Sequence, residues 1–514
     1  MSERAQDPIT LAPPSVIAVL GGGITGLSTT FHLTRKFPNA RILLLEKSPR
    51  LGGWMQSKRV QFGIPGGDVG TAILETGPRS LRPNSSALLE LINLLGLQSQ
   101  LITTSEESPA AKNRFLYMAD NQKPGLTAIP SNALGFLRSQ LALTVIPAVL
   151  REPFRKKNRP SGAEHDESLD SLMSRRFGNE FARILGSSLV HGIYAADARK
   201  LSVKTALPPL WMAENRGNGS IIRGVVKSRK TEYPLVKETY DTGGLETFLK
   251  NVSVFSFKDG IQMLPDAITK VLETNPNVDI RTSVKVTKLL PSTKCIEIST
   301  PHETITASHV VTTTPPPSLE PLLTSPLPHL TSNPYSSVTV ISFVFAARPE
   351  VLHPPGFGYL IPRPKNGYES DINPEGILGV VFDSCSLGDQ DRPLGQFTKL
   401  TMMVGGPYTP RLPTLEDKDT LTKVLLTALE RHLGRRLPRP AFVQISYQKD
   451  CIPTLTTGHL TRMAELREAL SGSPWNSRME VVGAGIGGVS VGDCVVQGRN
   501  AGNAWQEQDV PDRT

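Results

Sequence analysis

Val16 to Leu20 is an unbroken apolar run that stops at Gly21, and a helix-like alternation of apolar and polar positions follows from Ile24 to Phe37, ended by Pro38-Asn39. Arg41 to Leu45 is a second apolar run, closing on Glu46. Together the three pieces predict a β-α-β unit near the start of the chain. Further on, Leu88 to Leu97 reads as an amphipathic helix, residues 115–240 lean helical, and Leu264 to Glu273 predicts a helix followed by short strands through Val311. The proline-rich stretch from Thr314 to Pro334 reads as a crossing between domains. Val338 to Ala346 and Ile377 to Phe382 predict strands, and Leu421 to Leu433 a helix. No solenoid-type repeat is present.

The turn after the first strand carries chemistry. Gly21, Gly23 and Gly26 form a GxGxxG pattern in which the first glycine permits a tight turn and the second lets backbone approach a pyrophosphate. The third lets helix pack closely on strand, with the helix N-terminus facing the phosphate charge. Glu46 ends the second strand, where a carboxylate accepts from ribose hydroxyls and repels a 2′-phosphate. Next come Arg50-Leu51-Gly52-Gly53-Trp54 and Glu75-Thr76-Gly77-Pro78-Arg79, two further turns whose order favours a flavin over a nicotinamide ligand. Gly483 to Gly488 repeats the GxGxxG pattern, but no second strand ending in an acid follows it. It reads as a helix N-terminus with free amides turned to the same cofactor.

Composition narrows the alternatives. A chain of 514 residues accommodates two to four domains at roughly 100–200 residues each. With 39% hydrophobic and 20% charged residues it is not wholly disordered. Cys295, Cys385, Cys451 and Cys494 form no CxxC pair, which argues against a zinc clip, a thioredoxin-type motif and a disulfide scaffold. The nine histidines show no ligand spacing, so no metal site is expected. No Ser-His-Asp, Cys-His or paired-carboxylate arrangement stands out, and no protein acid or base is assigned as catalytic.

The net charge of +9 suits anionic partners, but no nucleic-acid module is present, which leaves an acidic membrane surface. Neither of two long uncharged stretches, Pro8 to Thr34 and Pro321 to Ala347, reads as a spanning helix. In the apolar segment Leu134 to Leu150, the uncharged part from Ser139 has 12 residues. As helix that is about 18 Å, too short for about 30 Å of hydrocarbon. Arg151, Arg155, Lys156, Lys157 and Arg159 follow, against Glu152 alone. A buried helix with a solvated basic loop and a helix lying in a lipid interface both fit this pattern. Glu3 and Asp7 argue against a secretory signal and against an Arg-rich transit peptide.

Several motifs in one order narrow the picture: GGGITGL (Gly21–Leu27), RLGGWMQS (Arg50–Ser57), ETGPRSLRP (Glu75–Pro83), KNRFLY (Lys112–Tyr117), HGIYAAD (His191–Asp197), FSFKDGIQMLP (Phe255–Pro265), GFGYLIP (Gly356–Pro362) and GVSVGDC (Gly488–Cys494). On these the chain resembles the protoporphyrinogen oxidases of the flavin amine-oxidase-like superfamily, with the oxygen-dependent mitochondrial eukaryotic branch nearest. Two departures are Gly492, where the family usually carries Asn, and Ala196, where Gly is more usual.

The resemblance implies a mixed α/β fold: a Rossmann-type FAD-binding domain (residues 1–110, 241–315 and 475–514), a mixed-sheet substrate domain (211–240 and 316–474) and an inserted helical membrane-binding domain (111–210). It implies FAD contacts at Gly21, Gly22, Gly23, Ile24, Thr25, Gly26, Glu46, Lys47, Gly53, Trp54, Gly77, Pro78, Arg79, Ser80, Val284, Ala484, Val489, Ser490 and Val491. On the substrate side it implies Arg114 for a propionate, the Gly192 carbonyl for the pyrrole N–H groups, and Leu360, Val381 and Met403 as apolar walls. The implied reaction takes six hydrogens from protoporphyrinogen IX, by hydride transfer from a meso carbon to flavin N5, with O2 as acceptor and H2O2 as product. The implied setting is peripheral attachment to the mitochondrial inner membrane as a homodimer, with ferrochelatase as a partner and no nucleic acid.

Overall fold

A computed structural model describes residues 13–506 apart from residues 65, 121–123, 131–134, 136–138, 160–165, 229–238, 409–411 and 413–415. The chain divides into two compact units. One comprises Met1–Gly53, Leu264–Thr331 and Arg462–Thr514, the other Trp54–Met263 and Ser332–Thr461.

The first unit is built on a parallel sheet whose order is Met479–Val481, His309–Thr312, Val16–Leu20, Arg41–Leu45, Val278–Arg281. Its central strands are apolar at nearly every position because helices and a second sheet cover both faces. That second sheet is an antiparallel one of Lys288–Pro291, Ile296–Ser299 and Thr304–Ala307, and its Leu289, Ile296 and Ile298 join Ala18, Leu20, Leu43 and Val310 in one core. On the expected helix, observed as Ile24–Lys36, lies the helix Val491–Asn500. Gly498 allows this approach, since a Cβ there would stand 2.7 Å from Ser28 Oγ and 2.7 Å from the Thr29 amide. The Lys36 ammonium then donates to the carbonyl of Ala501 (2.7 Å) beyond the end of the later helix.

The second unit carries a seven-stranded mixed sheet in the order Phe442–Pro453, Tyr335–Phe345, Thr398–Gly405, Ile377–Val381, Gly358–Leu360, Arg114–Tyr117, Leu126–Ile129. Its one parallel pairing joins Gly358–Leu360 to Arg114–Tyr117. Period-two alternation divides its residues between two faces. Tyr117, Ile341, Phe343, Tyr359, Val380, Met402 and Val404 point to one face, where Leu421, Leu425, Ala428 and Leu429 of the helix Lys418–Leu433 bury them. The hairpin of Ser57–Gly63 and Val69–Glu75 packs Val60, Phe62 and Leu74 on Val344 of the same sheet and on Phe397, just before its strand Thr398–Gly405. That packing, with the pairing of Leu101–Ser105 to Val252–Phe257, is why residues 54–110 and 241–263 fall in this unit.

Within 115–240 the described residues are mostly helical, but the stretch opens on two four-residue strands, Arg114–Tyr117 and Leu126–Ile129. Strands that short show too few alternations to register against a helical pattern. Part of the apolar segment Leu134 to Leu150 lies outside the described residues, as do Arg229 and Lys230 of a second basic stretch, Arg223 to Lys230. Within the segment, Ala142–Arg151 is a helix that buries Val145 and Ala148 and leaves Leu143 90% and Leu150 65% exposed. Among the described residues, no helix is long and apolar enough to cross a membrane.

Glu152 is a buried residue. It receives Arg176 Nε (2.8 Å), the Ser220 hydroxyl (2.6 Å) and the Ile221 amide (2.9 Å) at the start of the helix Ile221–Ser228. Arg159 and Arg175 close on Glu214 beside it, and Arg155 donates to the Arg175 carbonyl. The basic cluster therefore splits into structural arginines and exposed cations such as Arg151 and Lys156. Gly498→Val should lower stability by about 2 kcal/mol or more through overpacking against Ser28 and Thr29, read as a fall in the thermal midpoint.

Candidate functional site

Each unit contributes a set of the expected residues. In the first, Gly21 takes φ +103°, and a Cβ at Gly26 would lie 1.8 Å from the Gly21 carbonyl oxygen, so helix and turn touch backbone to backbone. Gly23 caps the helix without a side chain, and no acid sits in the first turn. The amides at Ile24, Thr25 and Gly26 therefore remain as an anion-binding helix start. Gly23 is bridged to Gly52, and a Cβ on Gly53 would stand 3.1 Å from Gly23 Cα, which brings the second glycine turn against the first.

The Glu46 carboxylate is fixed by two backbone amides, Gly22 on Oε2 (2.6 Å) and Ser48 on Oε1 (2.7 Å). Each oxygen keeps a lone pair for a hydroxyl donor. Lys47 is exposed, and the Val284 amide donates to the Glu46 carbonyl (2.9 Å), which holds Val284 beside the acid. The repeated glycine motif forms one turn of helix, Ala484–Gly487, after the strand Met479–Val481. Ser490 commits its side chain to the cap of Val491–Asn500 by a reciprocal bond pair with Asp493, and Val489 precedes it, half-buried.

In the second unit the sheet register explains why three scattered apolar residues belong together. Leu360 pairs with Gly379, Gly379 with Met403, Gly358 with Val381, and Val381 with Thr401. Leu360, Val381 and Met403 thus share the face opposite the Lys418–Leu433 helix. Leu116 pairs with Leu360, which puts Arg114, two residues earlier, on that face as well. Gly192 meets Leu360 there, at 3.1 Å from a would-be Cβ to Leu360 Cδ1. It lies in the last turn of the helix Ser187–Tyr194, where carbonyls have no intrahelical donor.

Along the whole chain, comparison with known proteins gives a consistent answer. Residues 24–503 match the family model described as flavin containing amine oxidoreductase. The chain belongs to this family. It is 34% identical to the protoporphyrinogen oxidase of Schizosaccharomyces pombe over 94% of its length and 97% of that protein's. It is 30% identical to the Homo sapiens protoporphyrinogen oxidase, again over 94% and 97%. A solved structure from Exiguobacterium sp., provisionally named as a protoporphyrinogen oxidase, superposes with a TM-score of 0.75 at 23% identity, covering 96% of this chain and 99% of that one. The protein is a FAD-dependent oxidoreductase with the mixed α/β fold of the flavin amine oxidases.

The residues present fit FAD. Besides the glycine cradle and Glu46, the second unit holds Arg79 with a buried Nη1 that makes no hydrogen bond and stands 3.5 Å from Asp383 Oδ1. Such a donor suits a carbonyl or anionic acceptor. Gly77 is held under Trp54, whose carbonyl would stand 2.2 Å from a Cβ at position 77, while the Trp54 side chain is exposed. Pro78 and Ser80 flank Arg79, half-buried, and the Ser256 hydroxyl donates to the Arg79 carbonyl (2.9 Å).

Sequence reasoning missed three neighbours. Asp383 orients Arg79 and accepts from Thr401 (2.5 Å); Gly379 keeps the wall bare between Leu360 and Met403. Glu75, buried beneath Ser57 and the Ile261 amide, is pushed up to about 7 by desolvation. Only Gly379 left a signal, a glycine inside an apolar strand.

His191 is not a ligand but a clamp. Its Nδ1 donates to the Ile361 carbonyl (2.7 Å), so Nε2 accepts from Tyr368 (3.0 Å) and the ring is neutral, with burial lowering its pKa to about 4. Because the unfolded histidine protonates near 6.5, stability is constant above that pH and falls as pH drops toward 4. At pH 5 the loss is about 2 kcal/mol from this group. Thermal melts from pH 7.5 to 5 should show it, and His191→Gln should make the fall shallower. Gly26→Ala should abolish the yellow colour of desalted protein, since its methyl collides with the Gly21 carbonyl.

Proposed function

We propose that this flavoenzyme oxidises protoporphyrinogen IX to protoporphyrin IX, consuming three O2 and releasing three H2O2 as six hydrogens leave the substrate. The observation that carries the reading is one sheet face bearing Leu360, Val381 and Met403, with Arg114 on the same face and Gly192 packed against Leu360. It has the features a flat apolar macrocycle with carboxylates at one edge requires. Bound FAD supplies the two-electron acceptor that O2 re-oxidises. The chain's own residues bind and orient: the walls strip water from the ring, Arg114 takes a propionate, and the Gly192 carbonyl accepts from the pyrrole N–H groups. Gly21–Gly26, Glu46, Lys47, Gly53, Val284, Ala484 and Val489–Val491 serve the dinucleotide part of the cofactor, and Trp54 and Gly77–Ser80 its flavin part.

The enzyme works at a lipid surface. Val145 turns inward to a cluster with Leu116 and Leu360, while Leu143, Leu150 and Phe154 face outward beside Arg151 and Lys156. Such a helix suits the boundary of anionic lipid, where an apolar substrate partitions. The motif resemblance to the mitochondrial branch of the family is the ground for proposing the inner mitochondrial membrane as that surface, a homodimer, and transfer of product to ferrochelatase.

Incubation with protoporphyrinogen IX in air should produce porphyrin fluorescence well above the autoxidation rate, and faster than coproporphyrinogen oxidation; autoxidation alone would refute the proposal. Arg114→Leu should lower kcat/KM by about tenfold or more, the worth of one charge-assisted bond. Sedimentation with vesicles containing anionic lipid should recover the wild type, and L143D together with F154D should release it. Equal sedimentation of both proteins would remove the surface assignment.

A further inference from the structure

Arg114 has a cationic neighbour that the apolar walls do not explain. Arg82 follows Leu81, whose backbone is locked to Phe255 by bonds in both directions, 2.8 Å from the Leu81 amide and 2.9 Å back. Arg79, three residues earlier, is anchored at Asp383, and the short helix Asp383–Ser386 packs on Pro109–Lys112, immediately before Arg114. These contacts bring the Arg79–Arg82 stretch and the segment that enters Arg114 to the same short helix, at one end of the substrate face. Burial first, and the nearby Arg82 charge second, lower the pKa of the Arg114 guanidinium, which sits 5.9 Å from the centre of the Phe357 ring. Both side chains are exposed, and among the described residues neither is paired with a carboxylate.

Two like charges held together without an acid repel each other, and a dianion whose carboxylates are spaced to meet both relieves that repulsion. Protoporphyrinogen IX is such a dianion, with two propionates on neighbouring rings at one edge of the macrocycle. We propose that Arg82 is a second carboxylate-binding residue, so that Arg82 and Arg114 each take one propionate of the tetrapyrrole. This deepens the proposed function and rests on it.

A selectivity follows from the same geometry. With both propionates at the arginine end, the opposite edge of the ring extends over Leu360 and Met403, one row beyond Gly358 and Val381, where the vinyl groups of protoporphyrinogen fit. Two additional carboxylates at that edge, as in coproporphyrinogen, lose hydration without gaining a cation. The pair of arginines thus sets orientation, and the apolar wall rejects substrates that are charged at both edges.

The test compares KM for protoporphyrinogen IX and for its dimethyl ester in the wild type, R82Q, R114Q and the double variant, after wild-type turnover of the diacid has established the underlying reading. Absence of that turnover would count against the proposed function rather than against Arg82. R82Q should raise the diacid KM about tenfold and the diester KM by less than about twofold, with the double variant losing preference for the diacid altogether. R82K should recover part of the preference, because it keeps the charge without the fork. Protoporphyrin IX titration, followed by fluorescence, should show the same order of affinities without turnover. An unchanged diacid KM in R82Q, or equal rises for diacid and diester, would overturn the proposal. If R82Q loses its flavin, R82K decides: a diacid-selective rise of about threefold supports the proposal, and wild-type behaviour overturns it.

Discussion

The pleat of one sheet is the constraint on which the substrate side of this protein depends. Consecutive residues of a strand face opposite ways, and beyond a bulge between Ile377 and Gly379 the pairings Leu360–Gly379–Met403 and Gly358–Val381–Thr401 carry that parity across three strands. A shift of one residue in Ile377–Val381 would bury Val381 against the Lys418–Leu433 helix and turn Val380 outward. The large apolar set Ile341, Phe343, Tyr359, Val380 and Met402 prevents this, because it is already buried against Leu421, Leu425, Ala428 and Leu429. Core packing on one side of the sheet thereby determines the composition of the wall on the other. Gly379 completes the wall by omission, since a Cβ there would strike the Tyr359 carbonyl at 2.5 Å.

The layer over that wall is held by buried charge. Glu152 and Arg176 are fully buried and hydrogen-bonded to each other, and Glu214 joins Arg159 and Arg175 beside them. Removing one partner of such a pair costs about 3–5 kcal/mol because the other is left unpaired. The network ties the segment after the exposed helix to Ile221–Ser228, so the outward Leu143, Leu150 and Phe154 are presented by a rigid support. Burial acts on His191 in the opposite sense. It keeps the ring uncharged, and the two bonds this permits set the helix that carries Gly192.

Local signals in the sequence carried the first unit well. Strand, glycine turn, helix, strand and Glu46 follow one another within a short stretch, and each is set by neighbours in the chain. The second unit was less legible because its site is non-local. Nothing near Leu360, Val381 or Met403 distinguishes them from core residues, and only the sheet register brings them to one face; they were found through resemblance. Asp383 and Thr401 escaped for the same reason, as their relation to Arg79 spans some 300 residues. The four-residue strands Arg114–Tyr117 and Leu126–Ile129 were too short for periodicity to detect. Glu152, taken by composition as the lone acid among cations, proved to be the cap of a distant helix.

The most direct measurement is a crystal structure of the FAD-loaded enzyme with protoporphyrin IX bound. The account predicts the ring lying against Leu360, Val381 and Met403, a propionate on Arg114, and the Gly192 carbonyl turned to the macrocycle's centre. A porphyrin seated away from this sheet face, with Arg114 still facing solvent, would contradict it.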